Sequence, residues 1–273
     1  MMAKGSLYLI PAPIGNLSDV SPRVMETLNR VDFLACEDTR KTLKLLQLLN
    51  VKKVCLSCHE HNEMVASEKI INRILDGESA GYISDAGYPC ISDPGFILAS
   101  KAIENGITII PLSGANAALN ALVASGINPN HFLFYGFLPV KEGDMIKELN
   151  LLREFPYTII FYESPHRINK TLKTLHQVLG NRKVTLAREI SKLHEEFIYS
   201  DLSELAHLEK EIIGEIVLVV EGNIASKVEI TDEEIIAHVS ALTKNGLTKK
   251  DAIASTSLLL NINKNRIKTL FLK

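Results

Sequence analysis

The sequence predicts an α/β protein of two lobes with a small helical extension at its C-terminus. Strand and helix patterns alternate strictly through the first half of the chain, which is typical of a parallel sheet covered on both faces. The second half has strand patterns that are only partly separated by helices, and the last part has helical patterns alone. We therefore expect an N-terminal α/β lobe at 1–126, a mixed-sheet lobe at 127–223 and a helical extension at 224–273.

In the first lobe, short apolar runs alternate with stretches whose apolar residues lie three and four apart. Ser21 followed by Pro22 is typical of an N-cap and a first helical residue. The predicted strands are 7–10, 31–36, 54–57, 80–84 and 107–111, and the predicted helices are 22–30, 39–49, 62–75, 95–105 and 116–125.

The second lobe begins near Pro129 and has predicted strands at 131–135, 157–162, 184–188, 196–199 and 215–221. After Gly222 the chain becomes a polar linker and then purely helical. Thr231 with Glu234 resembles a capping box, and Thr248 with Asp251 resembles one with aspartate in the place of the usual glutamate or glutamine. The basic residues of this extension favour a solvated face over an RNA clamp; they are Lys249, Lys250, Lys264, Arg266 and Lys268.

Composition limits the partners. The 273 residues carry 30 Lys+Arg against 32 Asp+Glu, so no global positive charge attracts DNA or an anionic membrane, and an RNA site must be a local patch. The apolar run near the N-terminus is too short for a signal peptide or a membrane span, so we expect a cytoplasmic protein. In that compartment, the 4 cysteines are expected to be reduced thiols in or near the core.

Three segments follow predicted strands, where α/β sheets form their ligand crevice. Pro11–Asn16 lacks the dinucleotide fingerprint, so by itself it favours an ordinary turn, although Gly15 would allow close backbone approach. Asp85, at the next such strand end, favours contact with a ribose hydroxyl or an ammonium, whereas Asp93 is interpreted as a helix cap. The small residues of 111–118 fit either close approach to adenine or simple helix packing.

Several sequence words resemble those of the tetrapyrrole-methylase class of S-adenosylmethionine-dependent methyltransferases. They follow the family's order over about residues 5 to 222, and the helical tail is similar to the family's C-terminal extension. Within that class they are most similar to the words of its ribosomal RNA methyltransferases. The words are Pro13-Ile-Gly-Asn-Leu17, Ala35-Cys-Glu-Asp-Thr-Arg40, His59-Glu-His-Asn-Glu63, Ser84-Asp-Ala-Gly87, Ile91-Ser-Asp-Pro-Gly95, Gly136-Phe-Leu-Pro139, Phe161-Tyr-Glu-Ser-Pro-His-Arg167, Ala187-Arg-Glu189 and Gly214-Glu-Ile-Val-Leu-Val-Val-Glu-Gly222.

The resemblance implies a two-lobed class III methyltransferase fold, S-adenosylmethionine in the cleft between the lobes, and a homodimer. It implies 2′-O-methylation of a cytidine ribose in the decoding region of 16S rRNA, either free or in the 30S subunit. The residues it places near the cofactor are Pro13, Gly15, Asp85, Gly87, Ile91, Asn116, Ala117, Tyr162 and Ala187.

The sequence departs from the family pattern at a few positions. Tyr88 stands where a smaller residue is usual, and Ser113 and Ala115 replace prolines that flank Gly114. The segment after Pro139 lacks the expected arginines, which bears on RNA affinity more than on cofactor binding.

A ribose hydroxyl is a poor nucleophile at neutral pH, so a positioned carboxylate or imidazole is needed to accept its proton. Four residues at or just past strand ends are candidates, and the choice among them stays open: Glu37, Asp38, Glu163 and His166. The residues that could contact RNA phosphates are Arg40, Lys41, His61, Arg167 and Arg188, with His59 and Lys192 as weaker candidates. The alternative is that Arg40 pairs with Glu37 and Arg188 with Glu189 in structural salt bridges.

A rival interpretation comes from Cys55-Leu-Ser-Cys58-His59, which spells a c-type haem attachment word. Haem attachment requires export, and residues three apart on a strand point to opposite faces, so we expect no metal site. Two further alternatives remain: a methyltransferase of a small molecule such as a tetrapyrrole, or a module that binds S-adenosylmethionine without turnover.

Overall fold

The structure is a computed structural model that describes residues 5–208, 211–223, 231–260 and 262–271. The chain divides into two compact units, Met1–Asn223 and Ile224–Lys273. The first unit contains two sheets, which form the two lobes.

The first lobe is a five-stranded sheet in which every neighbouring pair is parallel, as predicted. The strand order is β3-β2-β4-β1-β5. The strands are β1 (Ser6–Ile10), β2 (Phe33–Cys36), β3 (Val54–Ser57), β4 (Ala80–Ile83) and β5 (Thr108–Pro111), and the helices between and after them are α1 (Pro22–Arg30), α2 (Thr39–Leu48), α3 (Glu63–Leu75), α4 (Phe96–Glu104) and α5 (Ala117–Ala124).

Apolar side chains cover both faces of this sheet, because successive residues of a strand point to opposite sides. One face packs around Phe33 and Tyr82 against α3 and α4, and the other packs around Ile10 and Leu34 against α1 and α2. The predicted helix start is confirmed, since Ser21 Oγ accepts a hydrogen bond from Val24 N at 3.2 Å with Pro22 as the first helical residue.

The second lobe is a mixed five-stranded sheet, as predicted, and its strand order is β6-β7-β10-β8-β9. β6 and β7 run parallel, and the other neighbours are antiparallel. The last strand, β10, is fully buried at the centre of the sheet. The strands are β6 (Phe132–Phe137), β7 (Thr158–Glu163), β8 (Lys183–Arg188), β9 (Glu196–Asp201) and β10 (Ile216–Val220), and the helices are α6 (Glu142–Leu152), α7 (Ile168–Leu179) and α8 (Leu202–Leu205).

The two faces of the second sheet have different partners. One face packs against α6, α7 and α8. The other face, through Ile160, Val217 and Val219, packs against Ile14 and α5 of the first lobe. This apolar contact holds the strand-end loops of the first lobe against β7 and β10, and it positions the site described below.

The second unit is helical, as predicted, with α9 (Asp232–Lys244), α10 (Lys249–Leu259) and α11 (Lys264–Leu270) around a small core of Ile235, Val239 and Ile267. The predicted capping box at Thr231 and Glu234 is present, with Thr231 N donating to Glu234 Oε2 at 2.9 Å. None of the helices in the described part of the chain combines the length and apolar character that crossing a bilayer requires.

Candidate active site

A cavity of about 260 Å³ lies between the two lobes. The loops after β1, β4 and β5 form one side of it, and β7, β10 and the turn after β8 form the other. Its apolar walls include Ile14, Ile91 and Tyr162. Its charged lining residues within the described ranges are all acidic: Asp93, Glu163 and Glu215.

Two of the strand-end loops are joined directly. Ala12 N donates to Gly87 O at 2.8 Å, and Gly87 N donates to Ala12 O at 3.1 Å. Ser84 Oγ adds a bond to Gly87 O at 3.2 Å. Gly15 does not line the cavity; a Cβ there would lie 2.4 Å from Lys192 Cγ, so the glycine leaves room for the lysine stem.

The loop that leads from β4 to α4 has an unusual backbone. Cys90 and Ser92 have φ angles of 70° and 61°, a region that non-glycine residues rarely adopt. The far end of the loop is held by Glu63, which is buried and whose Oε1 accepts from Gly95 N at 2.9 Å, Ile97 N at 2.9 Å and Leu98 N at 3.2 Å. A carboxylate at a helix N-terminus also interacts favourably with the helix dipole.

The interpretation of Asp93 as a helix cap is therefore wrong. Gly95 is the N-cap of α4, and the capping carboxylate comes from Glu63. Asp93 instead lines the cavity. Burial, with the nearby charges of Glu37 and Asp85, raises the pKa of Asp93 to about 6, against the opposing effect of Lys41.

The predicted cofactor residues separate into two groups. Five of them line the cavity: Gly87, Ile91, Asn116, Ala117 and Tyr162. The other four do not line it: Pro13, Gly15, Asp85 and Ala187. Asp85 turns towards α2, where its carboxylate accepts from Asp38 N at 3.2 Å and from Lys41 Nζ at 2.6 Å. Ala187 is buried in the apolar contact between the lobes.

Among the predicted proton acceptors, Glu37 has a carboxylate oxygen without a hydrogen-bond partner in the described structure. Its Oε2 is buried and makes no hydrogen bond within the described residues. Burial, and then the charge of Asp85, raises the pKa of Glu37. Asp38 is committed to the start of α2, since its Oδ1 accepts from Arg40 N at 2.8 Å, and hydrogen bonds from Arg40 hold its pKa well below the usual range.

The two candidates from the second lobe are placed differently. The Glu163 side chain lines the cavity but is only 1% exposed, and it accepts from Thr171 Oγ1 at 2.6 Å and Ser164 N at 2.8 Å. Arg167 Nε lies 3.4 Å from Glu163 Oε1. His166 is exposed and does not line the cavity.

The candidate RNA contacts also differ in availability. The side chains of Arg40 and Lys41 are 89% and 67% exposed, and His61 is exposed beside His59, with 6.0 Å between the rings. By contrast, Arg167 Nη2 donates to Leu138 O at 2.8 Å.

The alternative salt-bridge partners are corrected by the structure. Arg40 pairs with Asp38 rather than Glu37, because the Asp38 carboxylate folds back over the first turn of α2. Arg188 pairs with Glu196 rather than Glu189, because these two residues face each other in the antiparallel register of β8 and β9.

The four cysteines are free thiols, and the two cysteines of the haem attachment word lie on opposite faces of the first sheet. Cys58 packs in the core on one face of the first sheet, and Cys55 packs against the core on the other face. Among the residues that the structure describes, no group of three or more His, Cys, Asp or Glu side chains could hold a metal ion.

Sequence reasoning missed several residues of this site, and four of them bear on its chemistry or shape. Glu63 fixes the loop after β4, while Asp93, Glu215 and Tyr88 line the cavity. The sequence signal for Glu63 is its position at the end of the family word His59–Glu63. The sequence signal for Tyr88 is its departure from the family pattern.

A comparison with family models matches residues 6–206 to the tetrapyrrole (corrin/porphyrin) methylases, which is most of the chain and includes all the strands except β10. The chain belongs to the tetrapyrrole methylase family. Among curated proteins, this methylase is 42% identical to ribosomal RNA small subunit methyltransferase I of Bacillus subtilis over 96% of its own length and 92% of the relative's. It is 41% identical to the protein of that name from Halalkalibacterium halodurans, over 98% of its own length and 95% of the relative's.

These relatives place the methylase within the ribosomal RNA small subunit methyltransferase I group of the family, as the sequence words predicted. Among solved structures, it resembles uroporphyrin-III C-methyl transferase from Thermus thermophilus complexed with S-adenyl homocysteine, with a TM-score of 0.57. The identity there is 16%, over 80% of this chain and 97% of the other, so this likeness shows the fold alone.

Proposed function

We propose that this protein transfers a methyl group from S-adenosylmethionine to the 2′-hydroxyl of a cytidine ribose in the decoding region of 16S rRNA. The observation that carries the proposal is the 42% identity, over nearly the whole chain, to ribosomal RNA small subunit methyltransferase I. The exact position of the methyl group is the part of the proposal that requires a direct test.

The cavity suits this cofactor chemically. S-adenosylmethionine has a sulfonium and an ammonium, so acidic side chains such as Asp93 and Glu215, and the scarcity of basic ones among the described lining residues, complement its charge. Ile14, Ile91 and Tyr162 provide apolar surface for an adenine ring. We assign direct contact with the cofactor to the five predicted residues that line the cavity, which are Gly87, Ile91, Asn116, Ala117 and Tyr162. The other four shape the site without contacting the cofactor; they are Pro13, Gly15, Asp85 and Ala187.

When bound, S-adenosylmethionine supplies an electrophilic methyl group, so the protein has mainly to orient the ribose and to accept its proton. We assign proton acceptance to Glu37. Its unpartnered oxygen is free to take a hydrogen bond from a hydroxyl, and a raised pKa gives a stronger base once the group is ionised. Glu163 receives less support because it is held by Thr171 and Arg167. His166 is exposed and does not line the cavity. Glu37 does not line the cavity either, but its charge helps to raise the pKa of Asp93, which does.

Phosphate contact is assigned first to Arg40, Lys41 and His61, which are exposed on the loops and helix that follow β2 and β3. Lys41 stays cationic, because its hydrogen bond to Asp85 raises its pKa. All four arginine and lysine side chains of the set have intramolecular partners, but Arg167 and Arg188 are only 24% and 18% exposed, so they are the weaker members of the proposed set. The proposal includes a homodimer acting in the cytoplasm, with 16S rRNA or the 30S subunit as substrate.

Radiolabelled methyl transfer tests this proposal. The substrates are 30S subunits, free 16S rRNA and uroporphyrinogen, each with the purified full chain. We expect labelling of a ribosomal substrate. A decoding-region transcript that contains 2′-fluorocytidine in place of every cytidine should not be labelled, whereas a transcript with 2′-fluorouridine should be, because only the first lacks the proposed acceptor.

Each other outcome identifies a different function. Labelling of uroporphyrinogen alone would indicate a small-molecule methyltransferase. Cofactor binding without transfer to any of these substrates would indicate a binding module. Equal labelling of the 2′-fluorocytidine transcript would place the methyl group on a base or on another ribose.

A further inference from the structure

Tyr88 connects two of the loops that form the cavity. Its Oη accepts a hydrogen bond from Gly114 N at 2.9 Å, and its side chain lines the cavity. Tyr88 belongs to the loop after β4, and Gly114 belongs to the loop that joins β5 to α5. The Tyr88 hydroxyl, on the loop after β4, therefore restrains the loop that joins β5 to α5.

The loop that contains Gly114 has few other restraints. Leu112 N is bonded to Leu9 O at 3.0 Å, and Asn116 Oδ1 accepts from Leu119 N at 2.9 Å, so both ends are fixed. Gly114 itself lies against Pro11, where a Cβ would come 2.3 Å from the proline Cγ. Within the described chain, the backbone N–H groups of the two residues that flank Gly114 make no hydrogen bond, so the bond to Tyr88 is the one polar restraint on 113–115.

The residues on both sides of Gly114 do not themselves fix the backbone of this loop. Proline at positions 113 and 115 would fix φ at both positions, whereas Ser113 and Ala115 leave it free. We propose that Tyr88 is a positioning residue that holds the 113–115 loop in its binding geometry, in place of the rigidity that prolines would supply.

The consequence for binding follows from the neighbours of the loop. Asn116 and Ala117 come directly after it and line the cavity at the start of α5. A loop that is already ordered costs less conformational entropy when a ligand binds than one that must become ordered. The inference rests on the proposed function only in naming the ligand as S-adenosylmethionine or its demethylated product.

The test is calorimetric titration of S-adenosylhomocysteine into the full chain and into Tyr88→Phe. The lost bond is solvent-accessible, and such a bond contributes about 0.5–1 kcal/mol, so we expect Kd to rise about two- to fivefold. Tyr135→Phe is the matched control, because its hydroxyl bonds Glu148 Oε2 at 2.9 Å in the second lobe and it does not line the cavity. That variant should bind as tightly as the wild type.

A rescue separates loop ordering from direct contact with the ligand. Adding Ser113→Pro and Ala115→Pro to Tyr88→Phe should return Kd to the wild-type value, because the prolines restore order without restoring the hydroxyl. Unchanged affinity in Tyr88→Phe, equal weakening in Tyr135→Phe, or no recovery with the prolines would each overturn the inference. Absence of binding by the wild type would instead overturn the proposed function.

Discussion

Both lobes have charged residues at the ends of their strands, but the hydrogen bonds of these residues differ between the lobes. In the second lobe, Glu163 ends β7 and Arg188 ends β8, and each has partners from its own lobe. In the first lobe, Glu37 follows β2 and has a buried oxygen without a partner in the described structure.

The balance of charge around these groups differs as well. Burial and the charge of Asp85 raise the pKa of Glu37. Burial and the charges of Glu37 and Asp85 raise the pKa of Asp93, and in both cases Lys41 is the cation that opposes the shift. The comparison shows that position at a strand end does not identify a reactive group. An acid whose hydrogen bonds are complete stabilises the fold, whereas a buried acid with an incomplete set is available for chemistry.

The largest effect is expected for Glu37→Gln, which keeps the size of the side chain and removes the proposed base. A positioned general base contributes about 10² to 10⁴ in rate, so kcat for rRNA methylation should fall by that factor. The affinity for S-adenosylhomocysteine should stay within about twofold, since Glu37 does not line the cavity. Single-turnover methyl transfer and calorimetry together measure both quantities.

The pH profile provides a control for this prediction. Activity requires ionised Glu37, and burial raises its pKa, so the wild-type rate should fall as pH decreases through a range above that of an ordinary glutamate. In Glu37→Gln the residual rate should lack this acid limb. An unchanged kcat, or the same acid limb in the variant, would remove Glu37 from the mechanism.

A smaller effect, on stability instead of turnover, is expected for Glu163→Gln. The substitution weakens the bonds from Thr171 and Ser164 and removes the attraction to Arg167, so the free energy of unfolding should fall by about 1–3 kcal/mol. If Glu163 stabilises the fold and does not accept the proton, the decrease in kcat should be at least about tenfold smaller in Glu163→Gln than in Glu37→Gln. Urea denaturation of both variants measures the stability difference.

Glu142→Gln is the matched control in the same lobe. Glu142 pairs with Lys170 at 2.9 Å, but both side chains are 54% exposed, and such a pair contributes only about 0–1 kcal/mol. If Glu163→Gln destabilises the protein no more than Glu142→Gln does, the hydrogen bonds of Glu163 do not stabilise the fold, and the proposed difference between the lobes is wrong.

Much of the fold could be predicted because buried strands carry apolar patterns of short period. Every strand of both sheets was located, and no bound differs by more than two residues. The order of the strands could not be predicted: β10 lies between β7 and β8 although it is last in the chain, because long-range pairing decides that arrangement. The four-residue helix α8 carries too little periodicity to be recognised.

At the site, the meeting of the strand-end loops was predictable, but the direction of individual side chains was not. Asp85 was expected in the cavity and instead bonds Lys41, while Asp93 was expected at a helix cap and lines the cavity. The difference arises from the left-handed backbone at Cys90 and Ser92 and from the capping of α4 by Glu63, which is 32 residues away from Gly95 in sequence. Neither feature has a local sequence signal.

The smallest effect is expected for Asp93, an acidic residue of the first lobe that lines the cavity. Asp93 has a pKa of about 6 in the folded protein, above the value of about 3.9 for an unfolded chain. Because the folded pKa is raised, the contribution of Asp93 to stability is present below about pH 4 and is lost as pH rises through about 6. Asp93→Asn cannot ionise, so it should be more stable than the wild type at pH 7.5.

The expected gain in melting temperature is about 2–4 °C at pH 7.5, which corresponds to roughly 1 kcal/mol after allowance for the partial exposure of the side chain. The gain should shrink as pH is lowered from 7.5 to 5, because the wild-type carboxyl then becomes protonated as well. Asp144→Asn, the same change on an exposed turn of α6, is the control and should show no such dependence on pH. A gain that is constant with pH would mean that burial and the charges of Glu37 and Asp85 do not raise the pKa of Asp93.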